Sequence, residues 1–212
     1  MPTVLTFGDS NTHGTPPIVD LGVYQRFDAE TRWPTRMQAL LGPDWLLVEE
    51  GLPGRTAQFS DPVMGAHMDG RDGLKTALQS HGPIDVLVLM LGTNDVKTRY
   101  GASAHKVTGG IAALLDIALG AEMQTRHGGF RVLLICPPGV EEVGLFVGEL
   151  FGAAAVSRAL PGLYAALAAR RGTGFLDAAG VIAVSPVDGV HFEPQAHADL
   201  AVAVAAAVLR LG

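Results

Sequence analysis

Cysteine is almost absent from this 212-residue sequence. Cys136 stands alone, so no intramolecular disulfide can form and the chain does not depend on an oxidising compartment. Basic clusters are missing too. Fifteen lysines and arginines, spread along the chain, stand against twenty-one acids, and the formal net charge of −6 leaves a nucleic-acid groove without an electrostatic footprint. A small neutral or weakly charged partner fits that balance better. Charged residues make up only 17% against 48% hydrophobic, with a mean hydropathy of +0.29, which excludes intrinsic disorder. Long hydrophobic runs are lacking as well. Leu200 to Leu209 reaches about half the length of a membrane-spanning helix, and Val4 to Phe7 is too short, with no basic region before it, for a signal peptide. With no repeat, linker or low-complexity tract either, the expectation is one soluble cytoplasmic domain spanning 1–212, with no membrane or nucleic-acid partner.

Apolar runs of strand length recur at wide intervals: Val4–Phe7, Trp45–Val48, Val86–Leu91, Val132–Cys136 and the shorter Gly174–Leu176. The second and third are apolar throughout, which predicts strands covered on both faces by helices. Helices are predicted between them. Arg36–Leu41 follows Pro34, Gly73–Ser80 has Asp72 as a cap, and Ala104–Met123 carries a stripe of Ile111, Leu114, Leu115, Ala118 and Leu119. Ala153–Arg171 is expected to bend near Pro161–Gly162, and Pro194–Leu211 opens on a proline suited to a first helical turn. Strands alternating with helices imply an α/β fold with a parallel sheet and right-handed crossovers.

Ligands of such sheets bind beyond the carboxyl ends of the strands. Here those ends carry the small polar and glycine-rich clusters: Gly8-Asp9-Ser10-Asn11, Gly51 to Thr56, and Gly92-Thr93-Asn94-Asp95. A fourth cluster, Asp188-Gly189-Val190-His191, lies just ahead of the last helix. Nucleophilic serine catalysis needs an exposed hydroxyl, a histidine to take its proton, an acid to orient the histidine, and donors for the developing oxyanion. Ser10 follows a short strand and can sit on the rim. Asp188 and His191 are close enough for one loop to present both, and a carboxylate on one imidazole nitrogen leaves the other for Ser10. Asn94 puts a neutral amide donor at a strand end, as an oxyanion site requires.

With Phe7-Gly8-Asp9-Ser10-Asn11-Thr12, Gly51-Leu52-Pro53-Gly54-Arg55-Thr56, Gly92-Thr93-Asn94-Asp95 and Asp188-Gly189-Val190-His191 in that order, the chain resembles the GDSL esterases, also called SGNH hydrolases. The resemblance covers nearly the whole chain. It implies a three-layer α/β/α sandwich of flavodoxin-like architecture and a serine esterase that uses no cofactor and no metal. Ser10 would be the nucleophile, His191 the general base and acid, and Asp188 its orienting partner. The backbone N–H groups of Ser10 and Gly54 and the amide of Asn94 would form the oxyanion hole. Two positions depart from the pattern: Asn11 replaces the leucine of the family name, and Glu49-Glu50 stands where an asparagine often opens the second block. Glu49-Glu50-Gly51-Leu52, Leu91 to Lys97 and the insert around Leu145-Phe146-Val147 are similar to the oligomeric bacterial arylesterase and acyltransferase branch. That likeness implies a homo-oligomer acting on small acyl groups such as acetyl, with acyl transfer as a further activity.

Competing readings rest on the same residues. A carbohydrate acetylesterase would use identical core chemistry. A metal-dependent phosphoesterase would gather Asp9, Asn94, Asp95, His13 and His191, yet the chain has no His-x-His pair, and His197, the one histidine near His191, falls in a predicted helix. A silent binding module would not need the set Ser10, Asn94, Asp188 and His191. Asn11, His13 and Phe146 are the candidate substrate-pocket residues. Asp9 is expected to brace the rim by accepting backbone N–H bonds, Asp95 and Arg55 to pair, and Cys136 to be a buried apolar residue. The segment Val140 to Ala155 is expected to form a subunit contact near the entrance.

Overall fold

A computed structural model describes residues 1–211. Its strands are β1 (Thr3–Gly8), β2 (Leu46–Gly51), β3 (Val86–Met90), β4 (Arg131–Cys136) and β5 (Gly174–Asp177), and they form one parallel sheet in the order β2-β1-β3-β4-β5. The helices are α1 (Ser10–His13), α2 (Trp33–Leu41), α3 (Gly70–Ser80), α4 (Ala104–Leu119), α5 (Ala121–His127), α6 (Ala153–Arg158), α7 (Leu160–Arg171) and α8 (Pro194–Leu211). The expected α/β/α sandwich is the fold observed. Its two cores follow from the two-residue period of a strand. Leu5, Phe7, Leu87, Leu89, Val132 and Leu134 face α3, α4 and α7, while Val4, Val86, Val88, Leu133 and Ile135 face α2 and α8. Among the described residues, no helix is long and apolar enough to cross a membrane.

Several local expectations are corrected. Strand β2 is covered only in part: Leu47 and Val48 pack against the two opposite cores, but it is the sheet edge, paired only with β1, and none of its residues is fully buried. Helix α3 starts three residues before the predicted Gly73, because Asp69 and not Asp72 accepts the N–H of Arg71 as cap. Asp72 lies in the first turn, where its charge suits the helix dipole. The predicted Ala104–Met123 helix breaks at Gly120, whose extended backbone ends α4 and begins α5. The bend expected at Pro161 is a break at Ala159, with Pro161 in the first turn of α7. Helix α2 begins at Trp33, earlier than predicted, with Pro34 inside its first turn.

Chain order makes β1 the switch point: β2 lies on one side of it and β3 on the other. The loops after these three strands therefore open onto one crevice. Close packing there demands glycine. A Cβ on Gly51 would lie 2.6 Å from His13 Cα, so a side chain at the end of β2 would push α1 away.

Candidate active site

Helix α1 is one turn long and begins at Ser10. Asp9 caps it, its Oδ1 accepting the Asn11 N–H at 3.0 Å. Capping fixes the turn that aims the Ser10 side chain, and Ser10 Oγ lies 3.1 Å from His191 Nε2. The other ring nitrogen, Nδ1, lies 2.6 Å from Asp188 Oδ2. Both come from the segment before α8, tied to α1 by the Asn11 amide, which donates to the Val190 carbonyl at 3.1 Å.

Asp188 is fully buried and heavily satisfied. Oδ1 accepts the N–H groups of Val190 and His191, each at 3.0 Å, and Oδ2 accepts that of Ile18 at 2.7 Å. Burial raises its pKa, but the hydrogen bond and charge of His191 with the backbone donors outweigh burial, and the result is about 2. The carboxylate is therefore ionised and accepts only, which places the imidazole proton on Nδ1 and leaves Nε2 as the acceptor facing Ser10. That arrangement can draw a proton from the serine.

The Asn94 amide comes from the loop after β3 and donates to the Arg55 carbonyl at 3.1 Å. Gly54 has φ +89, a left-handed backbone that strains any other residue, and a Cβ there would meet Met64 Sδ at 2.6 Å. Ser10, Gly54, Asn94, His191 and Phe146 all line one cleft of about 260 Å³. The Phe146 ring is tilted against His191, centroids 6.1 Å apart.

Other candidates lie elsewhere. Asn11 is not a cleft residue; besides its bond to Val190, its carbonyl accepts Trp33 Nε1–H at 3.1 Å beneath the Ser10 turn. His13 also misses the cleft. Its Nε2 pairs with the Tyr24 hydroxyl at 2.9 Å, and burial lowers its pKa. Arg55 and Asp95 do not pair. Arg55 Nη1 donates to the carbonyls of Gly8 and Glu50 and its guanidinium lies 4.0 Å over the Phe7 ring, while both Asp95 oxygens take the Ala57 N–H at 2.9 Å. Each thus ties a different pair of rim loops. Burial lifts Asp95 to about 7, helped by Asp9, and lifts Asp9 to about 6. Cys136 is buried, and that burial pushes its thiol pKa up, as suits an inert apolar side chain. Among the described residues, no group of three or more His, Cys, Asp or Glu side chains could hold a metal ion.

Sequence reasoning missed three features. The Ile18 N–H on Asp188 comes from a residue 170 positions away in the chain. Lys97, Arg99 and Glu149 supply a charged wall of the cleft, and Ile18, Leu21, Val63, Met64 and Leu150 supply an apolar one. Lys97 closes the Leu91 to Lys97 block three residues after Asn94, and that spacing is its signal in the sequence.

A parallel α/β sheet with a serine, histidine and aspartate in hydrogen-bonded series at its carboxyl end defines a class of hydrolases. Residues 6–198 match the GDSL-like lipase/acylhydrolase family. Solved structures agree. A carbohydrate acetylesterase from Sinorhizobium meliloti and an aryl esterase from M. smegmatis are each 32% identical, with full coverage of both chains and TM-scores of 0.94. A protein of Agrobacterium tumefaciens str. C58 is 37% identical, with full coverage of both chains and a TM-score of 0.89. Among curated proteins, no sequence matches. The chain belongs to the GDSL-like lipase/acylhydrolase family, and it is a carboxylic ester hydrolase.

Proposed function

We propose that Ser10 is the nucleophile of a serine esterase for short acyl groups, acetyl above all. The observation that carries this is the continuous path from Ser10 Oγ through His191 to ionised Asp188, at 3.1 and 2.6 Å, opening on a small cleft. Ser10 Oγ attacks the ester carbonyl carbon while His191 Nε2 takes the hydroxyl proton. The carbonyl oxygen gains the charge and is held by the N–H groups of Ser10 and Gly54 and the Asn94 amide. Collapse breaks the bond to the alcohol oxygen, which leaves with the His191 proton. Water then gives a proton to His191 and attacks the acyl carbon; the Ser10 Oγ–acyl bond breaks, and Oγ takes the proton back from His191 as the acid leaves. An alcohol in place of that water gives acyl transfer, favoured where the apolar wall holds water back.

Asn94 supplies the test of the oxyanion assignment. Because its amide strengthens its bond only as charge develops, Asn94→Ala is expected to lower kcat about 100- to 1000-fold with little change in KM. A raised KM with kcat preserved would make Asn94 a ground-state binding residue.

The second reading, a carbohydrate acetylesterase, is favoured by the Sinorhizobium meliloti relative. We further read the chain as one cytoplasmic domain over 1–212 that assembles with copies of itself, without cofactor, membrane or nucleic-acid partner. Large apolar side chains are exposed: Leu21 and Val63 on the cleft wall, and Leu145, Val147 and Phe151 in the segment that supplies the cleft residues Phe146, Glu149 and Leu150. Phe151 is 75% exposed and is not a cleft residue, so Phe151→Glu spares the site. Light scattering is expected to give an oligomer for the wild type and smaller species for the variant. A monomeric wild type overturns the assembly reading.

A further inference from the structure

The charged wall of the cleft takes no part in the steps above. Lys97 and Arg99 stand on the β3–α4 loop, and Glu149 faces them from the loop before α6. Arg99 is held between two carboxylates, with Nη1 at 3.1 Å from Asp61 Oδ1 and Nη2 at 2.6 Å from Glu149 Oε2. Asp61 also accepts the Tyr100 hydroxyl at 2.6 Å and the N–H of Val63 at 2.7 Å. Those bonds and Arg99 outweigh its partial desolvation and hold its pKa at about 2, so it is an anion.

Lys97 is different. Its side chain is only 14% exposed, and its one ion pair within 4 Å among the described residues is with Glu149 Oε2 at 3.5 Å. An ammonium carries three donors, so at least two are left for whatever occupies the cleft. Burial lowers its pKa, and Glu149 opposes that fall. Glu149 is half-exposed and is anchored by its own backbone, whose carbonyl accepts the Thr98 N–H at 2.7 Å and hydroxyl at 2.9 Å. Its carboxylate is thereby held at the cleft as an acceptor beside the Lys97 donors.

These four charges cancel: Lys97 and Arg99 against Asp61 and Glu149. An anionic ligand would meet Glu149 as well as Lys97. An aromatic ring could offer Lys97 only its face, which attracts the charge but accepts no well-directed N–H bond, and it has no donor for the Glu149 carboxylate. Hydroxyl groups both donate and accept, so a neutral group bearing several of them satisfies both partners. We propose that Lys97, with Glu149 beside it, forms a subsite for the hydroxyl groups of a polyhydroxylated alcohol, so that acetylated sugars are selected over aryl acetates. This assignment rests on the ester-hydrolase reading and names the alcohol half of its substrate.

The test uses an acetylated methyl glucoside and phenyl acetate as paired substrates, with kcat and KM measured on both. Lys97→Met keeps the length and removes the donors. The ratio of kcat/KM for the sugar ester to that for phenyl acetate is expected to fall about tenfold, chiefly through KM, the size of one lost charge-assisted hydrogen bond. Lys97→Arg should restore part of it. Glu149→Gln, which keeps the shape but turns one acceptor oxygen into an NH₂ donor and removes the charge, should lower the same ratio and serves if Lys97→Met melts early. Equal losses on both substrates in the folded variants, or an unchanged ratio, would overturn the subsite and leave the esterase reading standing. A wild type that hydrolyses neither ester would instead overturn the esterase reading itself.

Discussion

Ser10→Ala is expected to reduce ester turnover by roughly 10⁵- to 10⁶-fold, the scale of loss when the nucleophile of a serine–histidine pair is removed. What activity remains would come from the oxyanion donors and substrate binding alone. The assignment is specific because the other buried serines are engaged elsewhere. Ser157 Oγ bonds the Ala154 carbonyl and the Val140 N–H, at 3.1 Å each, and Ser185 Oγ donates to Glu193 at 2.6 Å. Neither hydroxyl is hydrogen-bonded to a histidine ring. A serine-directed phosphonate should add its mass at Ser10 in the wild type and fail to label Ser10→Ala. Labelling at another serine, with Ser10→Ala still active, would refute the nucleophile.

Asp188→Asn should cost about 10⁴-fold in kcat, because an amide can offer its N–H to the histidine and select the wrong tautomer. It should also destabilise the fold. Asp188 accepts three backbone N–H groups from both oxygens, and the new NH₂ must face at least one of those donors without accepting from it. A buried donor left unpaired costs about 1–3 kcal/mol. The pH dependence has a definite sign. The folded pKa, about 2, lies below the ordinary value of 3.8, so ionised Asp188 stabilises the fold above about pH 4, and that contribution is lost as pH falls through 2. Thermal melts of wild type and Asp188→Asn should therefore differ most at neutral pH and converge near pH 2. Near-normal turnover in the variant would move the orienting role to another acid.

The position of Asp188 also marks where sequence reading stops. The Asp188–His191 spacing is local, and so is the cap of Ser10 by Asp9; both are readable because three or fewer residues separate the partners. The Ile18 N–H on Asp188 is not, since nothing in either segment's composition specifies the other. Asp95 and Arg55 make the same point from the opposite side. Their charges suggest a pair, but each found a backbone partner on a different loop, and burial rather than charge governs their chemistry.

The alternation of strands and helices, the parallel sheet, the three polar blocks at strand ends and the fourth ahead of α8 are legible in the chain alone. Periodicity and glycine placement are properties of short segments, and hydrophobic burial acts on them wherever they lie. Which strand became an edge, where the chain breaks between α4 and α5 and between α6 and α7, and which side chains line the cleft came from tertiary packing. It excluded Asn11 and His13 from that cleft and brought Lys97 to Glu149. Those outcomes depend on contacts between loops far apart in the chain, whose meeting is set by the order β2-β1-β3-β4-β5.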